Sequence, residues 1–447
     1  MSAHRPLLCA ALALAAAPAP SAQPDLPPIA WERVGDLQAG RDLLFSPGPT
    51  GDTLLAVGNG GEFGNLGVYR YAPGGAWSDD LLDIAASPKF LVRLPTETLL
   101  GGSPSGPTEV NRSADNGRTW ARIEAEGGTR CFLSRPTRGD VLACADRAEY
   151  GTWRSVDDGQ SWVPLGRIPA DEPSVANALI EHASAGPGGA ARLVAAVQNG
   201  LAYSDDDGLT WTRSNVWGAF RWWGDDLAHA APVGPDAGGL YAAMSDFNDA
   251  RAVVLYSADG GATWEERGRP LIGFSTLAVG PGGALYLGVD NAQPGDGAKL
   301  MRSLDGGRTW SAMIEGYPNT CVETLAISPS DGRLYLGGCS GAWRTTEPLP
   351  ISTEEEPAGN ASAPAVGAAY PNPASDRLTV PVHTAAPVPV RIALYDVLGR
   401  LVAGTTTPVE AEAQAVTLSV AAVPAGVYVM QVSADGKLNA QTVVVAK

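Results

Sequence analysis

The sequence predicts an all-β protein built from repeated four-stranded sheets, with a second and smaller β domain after them. The first observation is an octapeptide, Ser-x-Asp-x-Gly-x-Thr/Ser-Trp, whose five copies begin 42 to 53 residues apart, the length of one blade of a β-propeller. The second is a period-two alternation of apolar and polar side chains beyond residue 368, which is typical of half-buried strands. Together they indicate a β-propeller followed by a β-sandwich.

The octapeptide contains what a tight hairpin turn needs. Its Ser and Asp side chains can accept hydrogen bonds from N–H groups of the turn, and its Gly can adopt the positive φ of a sharp reversal. The Trp then covers the turn with apolar surface at the start of the next strand. A calcium site of the EF-hand type is not indicated, because the ligand spacing of that loop is absent. We therefore predict a structural role for the five aspartates, Asp115, Asp157, Asp206, Asp259 and Asp305.

The number of repeats predicts a seven-bladed β-propeller. Five octapeptides mark five blades, and two more third strands, around residues 67–71 and 341–345, lack a full octapeptide. No fourth strand follows the last of these, whereas residues 31–34 look like a fourth strand with no turn before it. We therefore expect the N-terminal strand to complete the seventh blade, which leaves no long unpaired sheet edge. The predicted propeller spans residues 31–345, with about 45 residues per blade.

The octapeptide resembles the Asp box, or BNR repeat, of sialidase-like β-propellers. The same box is found in sortilin-like receptors, xyloglucan hydrolases and photosystem II assembly factors, where it joins the third and fourth strands of a blade. Because these proteins do different things, the resemblance implies an architecture and no particular chemistry.

The segments that flank the predicted propeller have distinct compositions. Residues 1–22 combine a short basic start, an apolar run at 7–17 and small residues at 19–22, which is typical of a cleaved signal peptide. No other stretch approaches the roughly 18 apolar residues of a membrane span, so we expect an exported chain that does not span a membrane. Residues 346–367 are polar, acidic and Pro-containing, and we interpret them as a flexible linker.

The C-terminal region, residues 368–447, carries specific sequence blocks. They are YPNPA at 370–374, LYDVLGR at 394–400 and PAGVYVMQV at 424–432, with a basic final Lys447. These blocks resemble the type A C-terminal sorting domain of the bacterial type IX secretion system. We expect an immunoglobulin-like β-sandwich here, and the resemblance implies an address read by the outer-membrane translocon of that system. The protein would then be secreted, or displayed on the outer cell surface, via the periplasm. An ordinary accessory sandwich is the alternative.

The charge of the chain argues against a nucleic-acid partner. Its formal net charge is −17, from 31 basic and 48 acidic residues that are spread along the sequence. Neutralising phosphates needs a basic face, which this distribution does not provide. We expect no cofactor and no metal.

Four cysteines remain once the signal peptide is removed. Cys131 and Cys144 flank one predicted hairpin, and Cys321 and Cys339 flank another, so each pair is placed side by side at one end of a blade. We predict the disulfides 131–144 and 321–339, consistent with an oxidising compartment. A zinc site is the alternative, but Cys-x-x-Cys spacing and nearby His residues are absent.

The candidate binding site is a loop whose three tryptophans the repeat does not explain. The segment NVWGAFRWWGDD at 215–226 lies between the fourth strand of one blade and the first strand of the next. This connection emerges on the same face as the loop at 245–250, opposite the octapeptides. Aromatic rings beside carboxylates and amides suit sugars and also peptide anchors. We therefore predict a glycan- or extracellular-protein-binding site at Trp217, Arg221, Trp222, Trp223, Asp246 and Asn248. The alternative is that some of these tryptophans pack between blades.

Three functions remain open at this point. The leading hypothesis is a non-catalytic binding module, and a structural or adhesion protein of the cell surface is another. The enzyme alternative is an exo-acting, sialidase-like glycoside hydrolase. A pair of carboxyl groups about 5 to 9.5 Å apart across an open pocket would be evidence for it. No sialidase residue transfers: the Arg-Ile-Pro element at 167–169 follows the second octapeptide, whereas that family carries it before the first. The candidate acids are Asp225, Asp226, Asp246 and Asp290.

Overall fold

The protein is described by a computed structural model that is all-β over the residues it describes. The predicted signal peptide and most of the predicted linker lie outside these residues. No described helix is long and apolar enough to cross a membrane. The structure describes residues 29–35, 37, 39–46, 53–60, 65–71, 77, 90–102, 109–124, 128–149, 151–169, 174–182, 186, 191–218, 222–231, 236–248, 251–290, 299–313, 316–317, 321–329, 331–349, 365–366, 369–372, 374–384, 388–395, 401–409, 412–434 and 437–446.

The described part of residues 31–345 forms seven antiparallel sheets that follow one another along the chain. The N-terminal strand is β1 (Trp31–Arg33). Sheets 1 to 3 consist of β2 (Ala39–Ser46), β3 (Thr53–Gly60) and β4 (Asn65–Tyr71); β5 (Phe90–Arg93), β6 (Leu99–Gly102), β7 (Glu109–Ser113) and β8 (Ala121–Glu124); and β9 (Thr129–Arg135), β10 (Asp140–Ala145), β11 (Thr152–Ser155) and β12 (Val163–Pro164). Sheets 4 and 5 consist of β13 (Ala176–His182), β14 (Arg192–Val197), β15 (Gly200–Ser204) and β16 (Thr212–Trp217); and β17 (Trp222–His229), β18 (Leu240–Asp246), β19 (Arg251–Ser257) and β20 (Glu265–Ile272). Sheets 6 and 7 consist of β21 (Ser275–Val279), β22 (Leu285–Val289), β23 (Leu300–Ser303) and β24 (Ser311–Ala312); and β25 (Val322–Ile327), β26 (Leu334–Gly338), β27 (Gly341–Thr345) and β1.

The N-terminal strand completes the last sheet. Strand β1 pairs antiparallel with β27, with Trp31 opposite Thr345 and Arg33 opposite Trp343. Glu32 fixes this pairing through an ion pair with Arg344 at 2.6 Å. The first and the last strand of residues 31–345 therefore lie side by side in one sheet, at the position that the sequence predicts for residues 31–34.

The seven sheets close into a ring. The first strand of each sheet contacts the first strand of the next, and β25 of sheet 7 contacts β2 of sheet 1. Apolar side chains fill every interface between neighbouring sheets, and each interface has its own buried cluster. The core is thus divided among the interfaces, and the first strands surround the axis of the ring.

The five octapeptides form turns of one geometry. In the first copy, the Ser113 hydroxyl donates to Asp115 at 2.8 Å and accepts the Gly117 N–H at 2.8 Å. The Asp115 carboxylate also accepts the backbone N–H and the hydroxyl of Thr119, at 2.8 and 2.6 Å. Gly117 has a φ of 82°, a left-handed conformation that favours glycine. The same serine and aspartate contacts recur in the other four copies.

Both predicted disulfides are confirmed. Cys131 and Cys144 lie directly opposite each other on β9 and β10, and their Cα atoms are 5.1 Å apart. Cys321 and Cys339 flank the β25–β26 hairpin with a Cα separation of 5.4 Å. Each bond therefore closes the first hairpin of its sheet at the end where the first strand begins.

The C-terminal residues form two antiparallel sheets around one apolar cluster. The strands are β28 (Ala365–Val366), β29 (Arg377–Thr384), β30 (Val388–Tyr395), β31 (Leu401–Val409), β32 (Glu412–Ser419), β33 (Gly426–Ala434) and β34 (Lys437–Val445). They pair in the orders β28-β29-β32 and β31-β30-β33-β34. Alternate residues of both sheets, among them Val380, Leu418, Ile392 and Met430, are buried in the shared cluster. The period-two pattern of this region thus corresponds to strands with one buried face.

Candidate functional site

Five of the seven first strands carry a β-bulge close to where they begin. In each, the pairing with the second strand of the sheet skips one residue. A bulge leaves its extra residue unpaired and redirects that side chain. All five extra residues are polar and lie at the end of the ring where the first strands begin; they are Arg41, Arg130, Asn177, Asp225 and Glu323.

A pocket of about 300 Å³ opens at this end, where sheets 4, 5 and 6 meet. Its volume is at the lower end of the range for small-molecule sites. Gly224 allows the close approach of sheets 4 and 5 beside it, because a Cβ atom there would lie 2.7 Å from the Val197 backbone nitrogen. The pocket is lined by Asn177, Trp223, Asp225, Phe274 and Ser275.

Asp225 is the ionisable residue of the pocket lining. Its Oδ2 atom accepts hydrogen bonds from the hydroxyls of Ser245 and Ser275, at 2.7 and 2.9 Å, and from the Ser275 N–H at 3.1 Å. Burial raises the pKa of this carboxyl to about 8; the hydrogen bonds lower it and the charge of Asp290 raises it further. The surroundings of this carboxyl group therefore favour its neutral form over its ionised form.

Two further aspartates, both partly buried, join first strands to one another. Asp226 accepts the Leu277 N–H of β21 at 2.9 Å, and Asp42 accepts the Leu91 N–H of β5 at 2.7 Å. Each follows a bulge residue, so the two occupy equivalent positions in sheets 5 and 1. Burial raises the pKa of Asp226 to about 6 and that of Asp42 to about 7. Both carboxyl groups therefore link the first strands of neighbouring sheets.

Three aromatic rings cluster beside the pocket. Trp223 lies 6.0 Å from Phe247 and 5.8 Å from Phe274 between ring centroids, and the two phenylalanines are 6.2 Å apart. Phe247 and Phe274 are 47% and 42% exposed. The antiparallel pairing of β17, β18 and β19 places this cluster at the opposite end of sheet 5 from its octapeptide turn. We call these three residues the aromatic cluster.

The structure separates the residues that the sequence groups into one site. Trp223 and Asp225 line the pocket, whereas Trp217 packs against the buried cluster between sheets 3 and 4. Asp246 is buried and forms an ion pair with Arg269 at 2.8 Å. Trp222 lies in β17 opposite Asp246, and the exposed Asn248 follows in the turn after β18. Asp290 is exposed at the end of β22, where its N–H donates to the Phe274 carbonyl. Arg221 lies outside the described residues.

Sequence reasoning did not find four residues of this region. Asn177, Phe247, Phe274 and Ser275 come from sheets 4, 5 and 6 and meet only when the ring closes. A signal for Phe274 and Ser275 was present, because the connection from sheet 5 to sheet 6 emerges on the same face as the tryptophan-rich segment. Asn177 occupies the same bulge position as Asp225, and an alignment of first strands would have revealed it.

The raised pKa values predict how stability depends on pH. Between about pH 4 and pH 8 the folded chain holds more protons at Asp42, Asp225 and Asp226 than the unfolded chain, so the free energy of unfolding falls as the pH rises. Asp225→Asn is expected to flatten this fall by up to about 1.4 kcal/mol per pH unit. Urea unfolding at several pH values measures it. Leu209→Ala, which changes an exposed residue of an octapeptide turn and removes no titratable group, is the control that should keep the wild-type slope. An unchanged slope in Asp225→Asn would show that the pKa of Asp225 is not raised in the folded chain.

Comparison with known proteins identifies the C-terminal part of the chain. Residues 368–446 match the family model of the secretion system C-terminal sorting domain. The sorting domain indicates export by the type IX secretion system, to the cell surface or the extracellular space. No curated protein matches the sequence of the chain.

Solved structures show the fold of the larger part. YCF48 bound to a D1 peptide is similar with a TM-score of 0.50 and 18% identity, over 73% of this chain and 97% of that one. An ancestral GH74 enzyme has a TM-score of 0.50 and 12% identity, over 93% of this chain and 63% of its own length. Both are β-propeller proteins, and at these identities the similarity shows a β-propeller fold alone. The chain is thus similar to a β-propeller followed by a sorting domain.

Proposed function

We propose that the chain is a non-catalytic binding protein, secreted or displayed on the outer cell surface, whose seven sheets are the seven blades of an Asp-box β-propeller. The propeller would span residues 31–345, with a linker at 346–367 and an immunoglobulin-like sorting domain at 368–447. The closed ring of first strands supports the blade number. The sorting domain would engage the outer-membrane translocon, and the propeller would bind a glycan or an extracellular protein.

The observation that carries this proposal is the aromatic cluster beside the pocket. Large aromatic side chains that are almost half exposed and lie next to polar groups are typical of recognition sites. Asn177, Asp225 and Ser275 supply the polar groups, and Trp223 and Phe274 supply the apolar walls. The octapeptide turns at the opposite end satisfy their own hydrogen bonds, and their exposed large apolar side chains, Val156, Leu209 and Leu304, are aliphatic.

The contacts of the candidate acids weigh against the hydrolase alternative. Asp226 bridges two first strands, and Asp246 is ion-paired and buried. Asp225 and Asp290 remain as an interacting pair, because the charge of Asp290 raises the pKa of Asp225. This pair is the specific feature that favours an exo-acting glycoside hydrolase as the second candidate. The fold does not choose between the two, because the YCF48 structure contains a bound peptide and the GH74 protein is an enzyme.

The test is a binding screen of the purified chain against glycan and peptide arrays. Trp223→Ala and Phe274→Ala are each expected to weaken binding at least about thirtyfold, since truncating an aromatic anchor costs about 2 kcal/mol or more. The matched control is Leu209→Ala, which removes a side chain that is 60% exposed from an octapeptide turn at the other end. Wild-type affinity should persist in that variant.

The remaining outcomes separate the alternatives. Binding that survives both aromatic substitutions would place the site elsewhere and contradict the proposal. Cleavage of a bound glycan that is lost in Asp290→Asn would establish the hydrolase. A chain that binds nothing on either array would favour a structural or adhesion role.

A further inference from the structure

The aromatic cluster has the geometry of a recess with three walls. The plane of the Trp223 ring makes angles of 78° with Phe247 and 67° with Phe274, and the two phenylalanine planes make 78°. Three rings at such steep angles present their faces in three directions. Aromatic cages for quaternary ammonium ligands use this arrangement, because the negative face of each ring attracts a cation.

Carboxyl oxygens lie beside the same recess. All three hydrogen bonds that Asp225 accepts from described side chains and backbone go to Oδ2, so Oδ1 has no partner among the described residues. Asp290 stands next to Phe274, to which its backbone N–H is bonded at 3.0 Å. The pocket thus offers an acceptor oxygen that no described residue occupies.

Among the residues that the structure describes, the pocket lining contains no basic side chain. Arg130 reaches its edge, with Nη1 3.2 Å from the Asn177 amide oxygen, but it is already ion-paired with Asp146. Arg269, near Asp246, is likewise paired with that carboxylate and with Glu266. The net charge of −17 adds a long-range field that concentrates cations at the surface.

We propose that the recess formed by Trp223, Phe247 and Phe274 binds the trimethylalkylammonium group of a ligand, with Asp225 as its counter-ion. This inference rests on the proposed function and names the class of ligand for that site. A neutral sugar could stack on the ring faces and donate a hydroxyl hydrogen bond to Asp225 Oδ1, but it would bring no positive charge beside that carboxyl. A trimethylalkylammonium group uses both, because its methyl groups contact the rings and its charge lies beside the carboxylate.

Binding of a cation is coupled to the protonation of Asp225. In the free protein burial raises the pKa of this carboxyl to about 8, and a cation beside Oδ1 stabilises the ionised form. Binding below about pH 8 therefore releases a proton, and affinity rises with pH and then levels off. Among the described residues, Ser245, Ser275 and Asn177 face Asp225, and none of the three titrates in this range. Asp290 is the charged neighbour, and its ionisation also strengthens the binding of a cation as the pH rises. Asp226, the next residue on β17, bonds to the neighbouring strand.

The experiment compares choline with 3,3-dimethylbutan-1-ol, its uncharged isostere, by titration calorimetry on the full chain. Choline is expected to bind roughly tenfold more tightly than the isostere, which corresponds to about 1.4 kcal/mol. Its affinity is expected to rise several-fold from about pH 6 to about pH 8, whereas that of the isostere stays constant. A capped peptide with one trimethyllysine tests the source of the ammonium group. Tighter binding of this peptide than of choline would favour a polypeptide ligand, and weaker binding would favour a small molecule.

Two substitutions test the named residues. Asp225→Asn should weaken choline binding and abolish its pH dependence, and Phe274→Leu should weaken it at every pH, while Leu209→Ala leaves it unchanged. Equal affinity for choline and its isostere, or no binding of choline at any pH, overturns the cation assignment. If ligands from the glycan or peptide arrays bind the wild-type chain and not Trp223→Ala in that case, the proposed binding function stands and only the cationic class of ligand is wrong. If no ligand depends on Trp223, both fall.

Discussion

A chain that lacks residues 368–447 is expected to fold and to accumulate in the periplasm, with export to the cell surface reduced to background. The match to the sorting domain covers residues 368–446, and these residues bury one apolar cluster between two sheets. The seven sheets upstream have their own clusters at every interface, so removal of the tail leaves their cores complete. Cell fractionation of a strain with a type IX system measures the change.

The reciprocal fusion protein provides the control for this truncation. Residues 346–447 fused to an unrelated periplasmic reporter should carry that reporter to the cell surface. Circular dichroism and thiol titration of the retained truncation should show β structure and no free thiols, because both disulfides lie upstream of the deletion. Normal export of the truncated chain would contradict an address function for the tail.

Arg135→Ala is expected to lower the free energy of unfolding by about 3 kcal/mol, the lower end of the cost of breaking a buried ion pair, because Asp140 keeps a second partner in Arg154 at 2.6 Å. The Arg135 side chain has no exposed surface and forms a bidentate pair with Asp140, at 2.7 and 2.6 Å. Asp140 is fully buried as well. Arg135 also pairs with Glu181 and Asp207 of sheet 4, so it joins two sheets. Denaturant unfolding of the purified chain measures the loss.

Arg138→Ala is the matched control, because Arg138 pairs with the same two carboxylates of sheet 4. Its distances to Glu181 and Asp207 are 2.9 and 2.8 Å, but its side chain is 34% exposed. An ion pair in contact with water contributes about 1 kcal/mol or less. Similar small losses in both variants would show that burial of Arg135 does not decide its contribution.

The repeat and the period-two pattern were sufficient to predict the sheets and their order along the chain. The octapeptides marked the turns between third and fourth strands because their hydrogen bonds are local: Ser113, Asp115 and Thr119 lie within one turn. The two disulfides were predictable for a similar reason, since each joins the ends of one hairpin. The sorting domain was recognisable from its contiguous sequence blocks.

The candidate site was predictable only in part, because it is assembled across sheets. Trp223 and Asp225 were singled out from composition, and both line the pocket. Trp217 has the same side-chain type in the same segment, yet its position at the end of β16 directs it towards an apolar interface. Asp246 looked like an exposed loop acid, but pairing of β18 with β19 buries it beside Arg269.

The sequence by itself determined the features that depend on neighbours along the chain: the turns, the strand pattern, the disulfides and the C-terminal domain. The tertiary structure alone decided which side chains share a pocket and which charges are buried. Asn177, Asp225 and Phe274 are about 50 residues apart from one sheet to the next, as expected from the repeat length, and only ring closure brings them together. A β-bulge places one extra residue in a strand but leaves no recognisable pattern in the sequence of that strand. Its effect on the direction of the side chains is therefore visible only once the strand is paired.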